Sequence, residues 1–164
     1  MNGASTKKTI LFVCTGNTCR SPMAEALFNQ QNQDSCYEAR SAGLAAHDGQ
    51  PASPQAVDVM RQTRGLDLSD HLARQATHAL LREASLILAM EERHVHKLLC
   101  MLPELAGRVM TLAEAAGQAA ADVKDPYCGD AACYLDTAAE IEELVKRLSV
   151  RLAQNDDCRQ KTDS

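Results

Sequence analysis

The sequence predicts an α/β fold, a single domain in which a parallel sheet is covered by helices on both faces. Short apolar runs of strand type alternate with helical stretches along the chain, the pattern of strands linked by helical crossovers. The first of these runs, Thr9 to Val13, is almost continuously apolar, as a central strand buried on both faces must be. The run ends in the polar loop Cys14-Thr15-Gly16-Asn17-Thr18-Cys19, which leads into a helix start. In such folds ligands bind at the carboxyl ends of the strands.

In chain order, Thr9 to Val13 is followed by a helix over Pro22 to Gln31, with Met23, Ala24, Ala26, Leu27 and Phe28 on one side. Ser21 fits its N-cap and Pro22 its first position. Tyr37 to Ser41 is the second strand, and Gly43, Gly49, Pro51 and Pro54 then break the chain. His47 and Asp48 lie in that stretch and read as a solvated turn. Ala56 to Arg64 is the second helix, with Gly65 past its end. Ser85 to Met90 is the third strand, and Glu91 to Met101 is a helix with a charged face. His94 and His96 are two apart on that helix, so they point in different directions and read as solvated. Arg108 to Leu112 is a fourth strand and Ala113 to Val123 an Ala-rich connector. The last helix carries Ile141, Leu144, Val145, Leu148 and Leu152 on one stripe. Residues 1–8 are expected to form a flexible polar leader and residues 155–164 a frayed tail.

A chain of 164 residues is long enough for a full core without disulfides or metal. Its net charge of −5 and pI near 5.5 argue against a general nucleic-acid surface. No apolar run is long enough to span a bilayer. The seven cysteines are odd in number, match no zinc spacing and follow no signal-peptide pattern. They read as reduced thiols in a cytoplasmic protein, with no metal and no cofactor.

The loop after the first strand carries the chemistry. A helix N-terminus and successive unpaired amides favour an anion. Gly16 is expected to supply the backbone freedom that turns those amides inward. Cys14 and Arg20 are separated by five residues, enough to wrap one tetrahedral oxyanion. A guanidinium and a helix N-terminus favour the thiolate, which is the nucleophilic form. The planar guanidinium matches two phosphate oxygens and can stabilise the charge that develops on them during transfer. No Lys-Ser or Lys-Thr follows the glycine, so the loop is not a nucleotide-binding P-loop.

The order Cys14-Thr15-Gly16-Asn17-Thr18-Cys19-Arg20-Ser21 resembles the signature of the low-molecular-weight protein-tyrosine phosphatases. Ser41-Ala42-Gly43, His71-Leu72-Ala73-Arg74-Gln75, Leu86 to Met90 and Asp125-Pro126-Tyr127 extend the resemblance over most of the chain. It implies a Rossmann-like three-layer sandwich with four parallel strands in the order 2-1-3-4. It also implies hydrolysis of phosphorylated protein residues through a phosphocysteine, with Cys14 as nucleophile, Arg20 as phosphate clamp and Asp125 as acid and then base. Thr15, Gly16, Asn17, Thr18, Cys19 and Ser21 would form the phosphate loop, steadied by Ser41 and His71. Pro126 holds Asp125 extended, and Tyr127 is placed to line the substrate entrance.

Thr18 stands where tyrosine-directed members usually carry Ile or Leu, so the chain looks closest to the bacterial branch that includes protein-arginine phosphatases. Phosphotyrosine is the alternative substrate. Cys19 shares a loop with Cys14 and is a candidate to trap an oxidised Cys14 as a disulfide if it points inward. The expected partner is a phosphorylated protein, bound by a monomer or weak dimer. An arsenate reductase on the same fold requires further relay cysteines, where the region after the third strand offers only Cys100. A phosphocarrier gains nothing from Arg20 and Asp125, and a non-catalytic phosphoprotein-binding module would lack Cys14 or Asp125. Asp122 and Asp130, the neighbouring carboxylates, read as solvated loop residues.

Overall fold

β1 (Lys8–Cys14) lies between β2 (Tyr37–Gly43) and β3 (Leu86–Ala89), with β4 (Val109–Thr111) outside β3, in a computed structural model describing residues 6–33, 35–127 and 129–162. The strand order β2-β1-β3-β4 is the one the family resemblance implies, and every neighbouring pair is parallel. Of the expected leader, residues 1–5 lie outside the described residues. The backbone is already in β1 at Lys8.

Alternate residues of a strand face opposite sides of a sheet, and β1 is apolar on both. Ile10 and Phe12 join one buried cluster with Met23, Leu27 and Phe28 of α1 (Arg20–Gln31), Met60 of α2 (Pro54–Arg64) and Ile141, Val145 and Leu148 of α6 (Ala131–Thr162). Leu11 and Val13 join the other with Leu81 of α3 (His78–Glu83) and Leu98 of α4 (Glu92–Met101). Each such side chain, once fully buried, stabilises the fold by about 1.5–3 kcal/mol. The strand that carries the loop is thereby buried on both faces from Ile10 to Cys14.

Four local differences from the sequence reading have physical causes. Helix α1 starts at Arg20, with Cys19 at the cap and no side-chain cap bond, because the loop uses the Ser21 hydroxyl elsewhere. Pro22 is therefore the third helical residue. Helix α3 is too short to show a period, and Thr77 caps it by accepting from Leu80 N–H. The Ala-rich connector begins as α5 (Leu112–Ala115), closed by a reciprocal capping box between Thr111 and Glu114. The expected tail is helical to Thr162, because α6 is continuous over 32 residues. Within that stretch Asp156 accepts from Cys36 Sγ and Tyr37 Oη and ties the helix to the start of β2.

Candidate active site

The loop from Cys14 to Arg20 closes over the carboxyl end of β1, and Cys14 is 3% exposed at its base. Asn17 N–H donates to Cys14 Sγ at 3.3 Å, and Ser21 Oγ lies 2.9 Å from the same sulfur. The left-handed residue of the loop is Asn17, at φ 56°, and not Gly16. Asparagine tolerates this conformation better than most residues, and here its side chain is fully enclosed. Asn17 Oδ1 accepts the Arg74 amide at 3.0 Å, so Nδ2 must donate to Ser21 Oγ at 2.8 Å and Ser41 Oγ at 2.9 Å. Ser21, having accepted one proton, has its own left to aim at Cys14 Sγ. His71 Nε2 meets the Asn17 carbonyl at 2.7 Å, and Ser41 Oγ donates onward to Glu25.

Glycine is required at position 43. A Cβ there would lie 2.6 Å from the Thr15 carbonyl and 3.0 Å from Asn17 N, so the loop rests on bare backbone at the end of β2. Ser41 and Gly43 reach the loop because β2 is paired with β1, and the His71 segment, distant from both in sequence, joins them through the bridge between Gly43 and Gln75.

Arg20 is buried, 2% exposed, and held along one edge. Its Nη1 donates to Glu91 Oε1 at 2.6 Å and to the Val123 carbonyl at 2.9 Å, and Nη2 lies 3.3 Å from Asp125 Oδ2. Glu91 also accepts from Arg93 Nε and Nη2. Burial pushes the Glu91 carboxyl up, but the hydrogen bonds from Arg93 and Arg20 and the Arg20 charge outweigh it and hold the group at about 2. The carboxylate therefore stays ionised and fixes one edge of the guanidinium.

Asp125 reaches the site from the loop before α6, its Oδ1 accepting Tyr127 N–H at 3.1 Å. The Asp125 side chain is 45% exposed, open to a bound substrate and to water. Tyr127 is 72% exposed at the rim. Cys14, Thr18, Arg20, Asp125 and Tyr127 all line one cavity of about 460 Å³, and His47 stands exposed at its mouth. A cavity of about 540 Å³ at the opposite end of the strands, lined by Lys8, Met110 and Arg151 among others, has no cysteine in its lining. Volume alone does not locate the chemistry.

Cys14 and Cys19 are both free thiols. Cys19 Sγ is turned to Ser53 Oγ at 3.3 Å and Tyr134 Oη at 3.6 Å, contacts it must leave to reach Cys14. Asp48 accepts the Gln75 amide, Asp122 the Glu92 amide and Asp130 the Cys133 amide, so each of these carboxylates has a structural partner as well as solvent.

His94 overturns the solvated reading. It is 2% exposed, with Nε2 2.9 Å from Thr15 Oγ1 and Nδ1 without a partner among the described residues. Burial is the largest influence and pushes its pKa down to about 4, so the ring is neutral at pH 7. A histidine depressed in the folded state binds fewer protons there than when unfolded, and its stability contribution is present above about 6.5 and lost as pH falls toward 4. Thermal melts of the protein and of His94→Gln between pH 7 and 4.5 are expected to diverge, with the wild type losing more stability. Parallel curves would show that His94 does not titrate in this window.

A parallel α/β sheet whose central strand ends in a loop that brings a buried thiol, a backbone amide and a guanidinium to one cavity defines a class, the α/β enzymes built around a loop cysteine. Residues 9–158 match the family described as low molecular weight phosphotyrosine protein phosphatase, and the chain belongs to it. The chain is 36% identical over 148 residues to the protein-arginine-phosphatase of Bacillus subtilis (strain 168), covering 89% of this chain and 97% of that protein. It is 37% identical over 145 residues to the low molecular weight protein-tyrosine-phosphatase Wzb of Escherichia coli (strain K12), covering 88% and 92%. The solved YwlE arginine phosphatase from Geobacillus stearothermophilus has a TM-score of 0.86 and 34% identity, covering 90% of this chain and 94% of that one.

Sequence reasoning missed Glu25, Glu91 and Arg93, and it passed over Arg74, whose amide orients Asn17. Glu91 and Arg93 had a positional signal: both follow β3 at its carboxyl end, next to β1, where side chains of this topology converge. Glu25 had none, because its role appears only when α1 lies against β2.

Proposed function

We propose that the chain hydrolyses phosphorylated protein residues in two steps, with phosphoarginine as the preferred substrate. Cys14 Sγ attacks phosphorus while the bond to the departing nitrogen breaks and Asp125 gives that nitrogen its proton. Water then attacks the phosphocysteine, Asp125 takes its proton, and orthophosphate leaves with Cys14 restored. The Asn17 amide and Ser21 hydroxyl support this reading by stabilising the thiolate, first as attacking and then as departing group. Arg20, pinned by Glu91 and the Val123 carbonyl, opposes the charge on the transferring oxygens without having to reorganise. The scheme needs no metal.

The preference for phosphoarginine is carried by Thr18, which lines the cavity and whose hydroxyl, among the described residues, has only Cys19 Sγ within bonding reach, at 3.7 Å. A threonine removes apolar contact from an aromatic substrate ring and offers a polar partner to a guanidinium nitrogen. Phosphotyrosine is the second reading, favoured by the exposed Tyr127 ring at the rim, which can stack on an aromatic substrate. Thr18→Ile is expected to lower kcat/KM for a phosphoarginine peptide while preserving or raising it for a phosphotyrosine peptide. An unmodified enzyme that favours phosphotyrosine, or a variant that changes both equally, leaves a tyrosine phosphatase.

The proposal places this activity in the cytoplasm, on a monomer or weak dimer. Five free thiols among the described residues support a reducing compartment. No helix among these residues is long and apolar enough to cross a membrane.

A further inference from the structure

We propose that Arg93 is a specificity-determining residue that selects phosphoproteins carrying an acidic side chain next to the phosphorylated residue. This rests on the phosphatase reading of Cys14. Arg93 lines the same cavity as Cys14 and Asp125, and its side chain is 63% exposed at the mouth. It is nevertheless anchored. Nε and Nη2 donate to the two oxygens of Glu91, and Nη2 also donates to Thr15 Oγ1 at 3.1 Å. Thr15 is itself held by the buried ring of His94 at 2.9 Å. The Nη1 edge has no hydrogen-bond partner among the described residues, so two N–H groups stay open beside the phosphate pocket.

The charges leave that edge positive when it is needed. Glu91 is one carboxylate shared between Arg20 and Arg93, so it offsets only one of them. The Asp125 carboxylate lies against Arg20, and it must carry a proton in the substrate complex if it is to donate one. The Asp122 carboxylate is exposed, with one oxygen on the Glu92 amide at the start of α4. The Arg93 guanidinium, in the field of Asp122 as well as Glu91, is then the cation at the rim, already ordered before substrate arrives. Little side-chain entropy is left to lose on pairing. Adjacent residues of a peptide are about 3.8 Å apart at Cα, so a flanking carboxylate falls within reach of the rim once the phosphoryl group sits on Arg20.

The test uses three phosphopeptides that differ only in the residue preceding the phosphorylated one, Glu, Gln or Lys, together with a small aryl phosphate. The Glu peptide is expected to exceed the Gln peptide in kcat/KM by about two- to fivefold at low salt, the size of an exposed ion pair, and the advantage to shrink at high salt. Arg93→Gln should bring this ratio to one, and Arg93→Glu should favour the Lys peptide. A role confined to bracing Glu91 would change all peptides by the same factor and leave the ratios alone. Equal turnover of the three peptides by the wild type, with the aryl phosphate still hydrolysed, overturns the role of Arg93. Failure to hydrolyse the aryl phosphate as well removes the phosphatase reading beneath it.

Discussion

Cys14→Ser is expected to lower turnover by more than about 10³-fold on any phosphorylated substrate, since a serine hydroxyl in this loop has no base to activate it. The substitution is nearly isosteric, and in the proposed mechanism the groups that bind the anion are the loop amides and Arg20. Binding of inorganic phosphate, followed by calorimetry, should therefore stay close to the wild-type value. Steady-state rates within a few-fold of wild type would remove Cys14 as the nucleophile. A loss of phosphate binding in parallel with activity would instead point to a collapsed loop.

Asp125→Asn is expected to slow the enzyme by about 10²–10⁴-fold on substrates with a poor leaving group, the usual contribution of a positioned proton donor. Asparagine keeps an oxygen for the Tyr127 amide, so the loop geometry should survive while the transferable proton is lost. An activated aryl phosphate departs without protonation, and its rate of phosphocysteine formation should fall far less. A series of aryl phosphates of graded leaving-group strength checks this. The variant should show a steep dependence where the wild type shows a shallow one, and equal slopes would exclude Asp125 as the acid.

These two residues differ in how they could be found. Cys14 and Arg20 share one strand, loop and helix start, and their proximity follows from local chain geometry. Asp125 is a carboxylate in a late loop, and Asp-Pro alone reads as an ordinary turn. Family resemblance raised it to a candidate, and its place 3.3 Å from Arg20 comes from the packing of the loop before α6 against the sheet.

The alternation of apolar strands and amphipathic helices, the buried centre of β1 and the succession Cys14 to Ser21 were all legible in the sequence, because each depends on residues within a turn or two of one another. Tertiary structure decided the rest. Asn17, not Gly16, takes the left-handed turn, because Ser21, Ser41, Arg74 and His71 converge on it from three segments and hold it there. Glu91 and His94 read as one charged helix face, yet both are drawn under the loop, where one fixes Arg20 and the other Thr15. A charge pattern along a helix records which residues can face water. Which of them do is set by what packs against the helix, here the loop at the end of a strand some 70 residues earlier in the chain.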